Sequence, residues 1–328
     1  MIHYRPFELH CHTRHSDGQF TVPGLLHGAA AYGYEGIALT DHNTSAGFRE
    51  VTPEMEHSDC RVIPGIEWTT FFGHLLVLGC NRFVDWRFVT PDTIDQALLE
   101  IRNAGGTAGI AHPCEVGAPL MCGCNWEFHV TRWDLVDYVE VWSDPDPWSR
   151  SKNTLALPWY DALLNAGHHL ALSAGRDWHG PDRPGEIPLL TATYLGIEGE
   201  LDTRTALAAL RAGRTFVTLG PTLDLAVRGD GGCRSLGESV EPGEAEVRVT
   251  VGETDRREIW ETHQVRVQSI RLVHNGETVA EMPYTGNPAA VVLNLKTGWL
   301  RAELHGSYQN NSRTEEAPIA LSSPVYIR

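Results

Sequence analysis

Short apolar runs that end in histidine or carboxylate, separated by helix-like segments, are the feature that most restricts the fold of this chain. The runs lie at residues 7–10, 36–40, 62–66, 75–78, 107–111, 136–141, 170–174 and 191–196. Each is nearly continuous in apolar side chains, the pattern of strands buried on both faces of a parallel sheet. Between them, Thr21-Val22-Pro23 opens a helix and Pro91-Asp92 opens another that stops at Gly105-Gly106. A further helix ends near Gly167, and one over 203–212 ends at Gly213. Repeated β–α alternation predicts an α/β barrel or an open parallel sheet.

The pattern changes after Gly220-Pro221. Segments 223–228, 246–251, 265–274, 290–295 and 299–304 alternate polar with apolar residues, and turns such as Gly229-Asp230-Gly231-Gly232 separate them. The expectation is two domains, 1–220 as the α/β unit and 221–328 as a small antiparallel β-sandwich.

The chemistry of the runs lies at their ends. His10 and His12 stand two apart, so both point to one side of an extended strand, and Asp17 follows in the next loop. Asp41-His42 ends the second run, Glu67 the third, and His112 follows the fifth. Asp177 and His179 close a later one, whereas His74 opens its run in Gly73-His74-Leu75-Leu76. Strand ends converge on one mouth in barrel folds, so residues remote in sequence are expected to meet in one pocket. Imidazole and carboxylate donors suit Zn, Mn or Fe, and the lack of cysteine among them argues against a closed structural zinc site. Nine donors exceed the needs of one tetrahedral ion and imply two or three divalent metals bridged by a carboxylate. Such centres lower the pKa of a bound water to about 7 and stabilise both oxygens of a displaced ester. The other ten of the 16 histidines lack this matched position and read as ordinary surface or core residues.

Several residues are secondary candidates. His15, two residues from Asp17, is a candidate proton donor or substrate contact, or else a loop histidine. Glu140, at the end of the sixth run, is expected to hold a ligand imidazole through its other ring nitrogen, as is Asp41 beside His42. Trp142, Trp148, Trp159 and Trp178 would either line a pocket for a planar substrate or pack in the core. Cys122-Gly123-Cys124, with Cys114 upstream, is the one local cysteine cluster among seven and reads as reduced thiols.

Bulk properties narrow the partners. A net charge of −16, from 26 basic and 42 acidic side chains, opposes strong binding to nucleic acid or anionic membrane. No apolar stretch reaches the roughly 20 residues needed to span a bilayer. The N-terminal residues show neither basic leader nor hydrophobic core, so a cytoplasmic location is the default expectation. The oligomeric state is not legible.

The motifs His10-Cys11-His12-Thr13-x-x-Ser16-Asp17-Gly18, Ala38-Leu39-Thr40-Asp41-His42-Asn43, Pro64-Gly65-Ile66-Glu67, Gly73-His74-Leu75-Leu76, Ile110-Ala111-His112-Pro113 and Gly175-Arg176-Asp177-Trp178-His179 occur in the order of the PHP (polymerase and histidinol phosphatase) family. The resemblance covers roughly residues 7–218. It implies a distorted (β/α)7 TIM-like barrel with a two- or three-metal centre. One metal would take His10, His12, Glu67 and Asp177; a second Glu67, His74 and His112; a third Asp17, His42 and His179. Where family members often carry Ser-Asp, this chain has Arg176-Asp177, and Arg176 becomes a candidate contact for an anionic substrate, or else a surface or ion-paired arginine. Residues 213–221, the β-rich tail and the closing Ser322-Ser323-Pro324-Val325-Tyr326-Ile327 resemble the carbaryl-hydrolase-like branch. The expected function is a metal-dependent hydrolase of a small anionic or aromatic ester. A phosphomonoester or phosphodiester is the first substrate class and a carboxyl or carbamate ester the alternative. A non-catalytic metal- or sugar-binding module is the remaining reading. A nuclease role fits the charge poorly.

Overall fold

The computed structural model describes residues 1–328 except 59, 118–122, 150, 184–187, 255, 287, 311 and 312. Its elements run β1 (Ile2–Cys11), α1 (Val22–Ala31), β2 (Gly36–Leu39), α2 (Pro53–Ser58), β3 (Arg61–Thr70), β4 (Gly73–Leu78), α3 (Ile94–Asn103), β5 (Thr107–Ala111), β6 (Tyr138–Ser143), α4 (Ser151–Asn165), β7 (Ala171–Gly175), β8 (Ala192–Glu198), α5 (Thr203–Arg211) and β9 (Thr215–Thr218). Every apolar run of the first two-thirds is a strand. Thr21 caps α1 by accepting a hydrogen bond from Gly24 N at 3.2 Å, and Asp202 forms a capping box with Thr205 on α5. Helix α3 begins at Ile94, later than the Pro91-Asp92 start expected.

In the sheet, β1, β2 and β3 are parallel neighbours, as are β5, β6 and β7. Strand β4 lies between β3 and β5 and runs antiparallel to both. The two ends of this seven-strand run meet, because His12 N donates to Trp178 O (2.9 Å) and Trp178 N donates to His10 O (3.0 Å). The sevenfold β/α repeat expected of the barrel is not what these strands show. Strands β3 and β4 form a hairpin with no helix between them, and β8 pairs antiparallel with the outer side of β1. The fold is mixed α/β, rich in sheet and modest in helix.

The remaining elements are β10 (Thr222–Gly229), β11 (Gly232–Arg234), β12 (Ser239–Val240), β13 (Gly243–Gly252), α6 (Arg257–Thr262), β14 (Arg266–His274), β15 (Glu277–Pro283), β16 (Ala289–Leu295), β17 (Gly298–Asn310), β18 (Arg313–Ser322) and β19 (Val325–Ile327). Strands β11, β10, β13 and β16 form an antiparallel sheet, with Ala245, Val247, Val249 and Val251 of β13 buried on one face as period-two alternation requires. The other strands join the main sheet where β18 pairs with β9. Leu225 and Val227 share a buried core with Leu304, Ile319 and Leu321.

Among the described residues no helix is long and apolar enough to cross a membrane.

Candidate metal centre

Strand β1 places alternate side chains on opposite faces. Phe7, Leu9 and Cys11 enter the apolar core, while Glu8, His10 and His12 point the other way, all buried. Glu8 Oε1 accepts from His10 N (2.8 Å) and Arg176 N (3.0 Å), tying β1 to the end of β7. Burial pushes Glu8 up to about 7, opposed by these two backbone bonds.

Three donor groups form at the strand ends, and within each group the ligand atoms lie within 4.8 Å of one another. In the first, His10 Nε2 lies 3.2 Å from Glu67 Oε2 and 3.3 Å from Asp177 Oδ1, and His12 Nε2 lies 3.0 Å from Asp177 Oδ1. In the second, Glu67 Oε1 faces His74 Nδ1 at 2.8 Å and His112 Nε2 at 3.3 Å. In the third, Asp17 Oδ1 faces His179 Nε2 at 3.2 Å and His42 Nε2 at 3.5 Å, with His12 alongside. All nine expected donors therefore meet, and Glu67 belongs to two groups. His74, the residue that opens its run, arrives because β4 is antiparallel and its first residues lie beside the last residues of β3 and β5.

The donors fit cations better than they fit one another. His10 Nε2 and Glu67 Oε2 are fully buried and 3.2 Å apart, yet neither makes an aligned hydrogen bond. Leaving such atoms without partners is costly, and a shared cation in their midst satisfies both. Burial alone would raise Glu67, but the imidazoles of His10, His112 and His42 outweigh it and hold the carboxyl well below the usual range. Burial opposes ionisation of Asp177 too, and His10 and His12 hold it well below its ordinary value. Burial lowers His12, favouring the neutral ring that binds metal.

Two donors sit on strained backbone. His112 has φ +25° and Asp177 φ +50°, the left-handed region that non-glycine residues avoid. Gly175 is required by close approach, since a Cβ there would lie 2.5 Å from His10 Cβ and 2.6 Å from Glu140 Oε2. That gap lets Glu140 Oε2 reach His10 Nδ1 at 3.0 Å, so Glu140 orients the ring that presents Nε2 to the centre. Asp41 does not hold an imidazole in this way. Its carboxylate accepts from Thr13 N (2.7 Å), Thr13 Oγ1 (2.8 Å) and Ser16 Oγ (2.8 Å), pinning the loop that carries Asp17.

The centre opens into a cavity of about 700 Å³ lined by Ser16, Asp17, His42, Thr69, His74, His112, Asp177 and His179, and farther out by Glu115, Val116, Gly117, Cys124, Asp144 and Lys152. His15 is not in this lining and pairs through Nε2 with Glu50 Oε1 at 2.7 Å. Arg176 is not in it either. Its side chain is buried, Nη2 pairs with Asp182 (2.8 and 3.0 Å), and the guanidinium lies 4.2 Å from the Trp178 ring. Arg176 and Asp177 are neighbours in an extended segment that goes on to pair parallel with β1 at Trp178, so their side chains leave on opposite sides. We expect Arg176→Ala to leave KM unchanged and cost stability on the order of 3 kcal/mol, since it strands Asp182 and empties a packed site. A urea titration beside steady-state kinetics checks both. Trp142, Trp148, Trp159 and Trp178 do not line the cavity, and Trp142 and Trp178 are core residues. Of the cysteine cluster, Cys124 lines the cavity and Cys122 lies outside the described residues. Glu115, Asp144 and Lys152 also line the cavity, at positions that carry no spacing signal in the sequence.

Residues 8–97 match the family model of the PHP domain. That segment supplies His10, His12, Asp17, His42, Glu67 and His74, whereas His112, Asp177 and His179 lie beyond it. A 5'-3' exoribonuclease of Haemophilus influenzae is 36% identical over 66 residues, 20% of this chain and 24% of that protein. The 5'-3' exoribonuclease Rnm of Escherichia coli is 36% identical over 79 residues, 23% of this chain and 27% of that one. The chain thus spans about a quarter of the length of these relatives. A crystal structure of a two-domain Bacteroides vulgatus protein containing a predicted PHP-like metal-dependent phosphoesterase superposes over 97% of this chain and 95% of its own. Its TM-score is 0.56 at 15% identity, a likeness of fold.

Proposed function

We propose that the protein is a metal-dependent phosphoesterase of the PHP type, acting on a small phosphate mono- or diester. The observation that carries this reading is Glu67, whose two oxygens face separate imidazole groups, Oε2 toward His10 and Oε1 toward His74 and His112. A carboxylate so placed would bridge two divalent ions held by His10, His12 and Asp177 on one side and His74 and His112 on the other. Asp17, His42 and His179 would hold a third. When bound, such ions supply an activated water and neutralise charge on a transferred phosphoryl group. Zn, Mn and Fe all suit these donors.

The protein's own residues hold this arrangement. Glu140 fixes the His10 ring, Asp41 fixes the Asp17 loop, and Glu8 ties β1 to the end of β7. His15, engaged by Glu50, is not assigned proton donation. Residues 1–220 would carry the chemistry, with 221–328 as an accessory β unit.

The test is a panel of p-nitrophenyl phosphate, bis-p-nitrophenyl phosphate and 1-naphthyl N-methylcarbamate, assayed with Mn²⁺ and Zn²⁺ and after chelation. Metal-dependent turnover of either phosphate ester is expected. Turnover of the carbamate alone would overturn the phosphoesterase reading in favour of an acyl-ester hydrolase.

A further inference from the structure

Two of the nine donors, Asp177 and His179, lie between β7 and β8 on a segment that belongs to neither strand. Backbone bonds fix its middle, where Trp178 pairs with β1 and Gln19 N donates to His179 O (2.6 Å). Its ends are joined by side chains. Arg176 Nη2 donates to Asp182 Oδ1 (2.8 Å) and Oδ2 (3.0 Å), six residues further on. Both side chains are largely out of water, with 1% of Arg176 and 18% of Asp182 exposed. The guanidinium also lies 4.2 Å from the Trp178 ring, so the pair packs on the side chain at the middle of the segment.

The pair is anchored outside the segment as well. Tyr32, which caps the end of α1, donates its hydroxyl to Asp182 Oδ2 (3.0 Å), and its ring lies 5.6 Å from the Arg176 guanidinium. Tyr32 O in turn accepts from Arg256 Nε (3.0 Å), which comes from the last third of the chain. At the other end, Arg176 N donates to Glu8 Oε1 (3.0 Å). Asp182 therefore ties the donor segment to α1, the helix that follows the Asp17 loop. Arg176 ties it to β1, the strand of His10.

We infer that Arg176 and Asp182 are positioning residues of the metal centre, a buried ion pair that closes segment 176–182 and preorganises Asp177 and His179 for metal. The inference rests on the metal-centre part of the proposed function and is independent of the substrate. Asp177 holds φ +50°, a conformation that costs free energy and persists only where its surroundings enforce it. Joining the ends of the segment limits the conformations open to it before metal arrives. Donors already in place bind more tightly than donors that must be ordered on binding. Neither Arg176 nor Asp182 belongs to a donor group or to the described cavity lining. The pair therefore acts on metal affinity, through Asp177 and His179, and not on the substrate.

The test is a chelator competition titration of Mn²⁺ on the wild type, Asp182→Ala and Asp182→Asn. Asp182→Ala is expected to bind Mn²⁺ about 10- to 100-fold more weakly, the usual effect of losing a partner that holds a metal ligand in place. Asp182→Asn, which keeps an acceptor without the charge, should fall between the two. In the metal-free protein, amide hydrogen exchange over 176–182 should be at least about tenfold faster in Asp182→Ala than in the wild type. Asp161→Ala controls for a general loss of stability. It breaks the Arg301–Asp161 pair between α4 and β17, which is equally buried, at 2% and 18% exposure, and belongs to no donor group. That variant should show a comparable fall in urea midpoint, with Mn²⁺ affinity unchanged and no added exchange confined to 176–182. Asp182→Ala binding Mn²⁺ as tightly as the wild type, or Asp161→Ala losing as much affinity, would overturn the inference and leave the metal centre standing. A wild type that takes up no metal would instead overturn the metal-centre reading and the inference with it. If Asp182→Ala does not fold, Asp182→Asn decides by the same two readings.

Discussion

Glu67→Gln is expected to strip metal from two donor groups at once and to reduce hydrolysis on the order of 10³-fold. Glutamine keeps the volume and one acceptor oxygen but loses the negative charge that faces His10, His74 and His112. With that charge gone, one group has Asp177 as its only anion and the other has none. Neutralising a cation in so buried a place depends on nearby anions, so the loss should exceed that from any single histidine. Metal analysis after dialysis should show a fall of more than half, with circular dichroism confirming that the fold survives. A variant retaining its full metal content would refute the shared role of Glu67.

Glu140→Ala should weaken metal binding about 10- to 100-fold while leaving every proposed ligand in place. Among the described residues the carboxylate's hydrogen bond is to the far nitrogen of His10, at 3.0 Å, and both side chains are fully buried. Removing it frees the ring to rotate and leaves Nδ1 without its acceptor, so Nε2 is no longer held toward Glu67 and Asp177. Glu140→Gln, which retains an acceptor without the charge, should fall between the wild type and the alanine variant. Titration against a chromophoric chelator measures this directly. Equal affinities across the three proteins would show that strand packing alone orients His10.

Much of this centre was legible from residue order. Imidazoles and carboxylates at the ends of buried strands are recognisable without coordinates, because strand ends are marked by local hydrophobic pattern and ligand chemistry belongs to the side chain. Glu140 was readable for the same reason, lying at the end of the run that became β6. Arg176 was not, because its partner Asp182 and the Trp178 ring that cover it are brought there by tertiary packing. Asp177, with φ +50°, meets the centre, whereas the Arg176 guanidinium lies against the Trp178 ring. Lys152, Glu115 and Asp144 had no signature at all, since they meet across three separate segments.

The amino-acid sequence by itself determined the donor set, the strands that carry it and the alternating β pattern of the last third. These follow from side-chain chemistry and from periodicities of a few residues. Tertiary structure alone decided that β4 runs against its neighbours and so delivers His74, and that Glu67 stands between two imidazole groups. Those outcomes depend on strand direction and on packing between distant segments, where the contact energies belong to pairs of residues the linear order keeps apart.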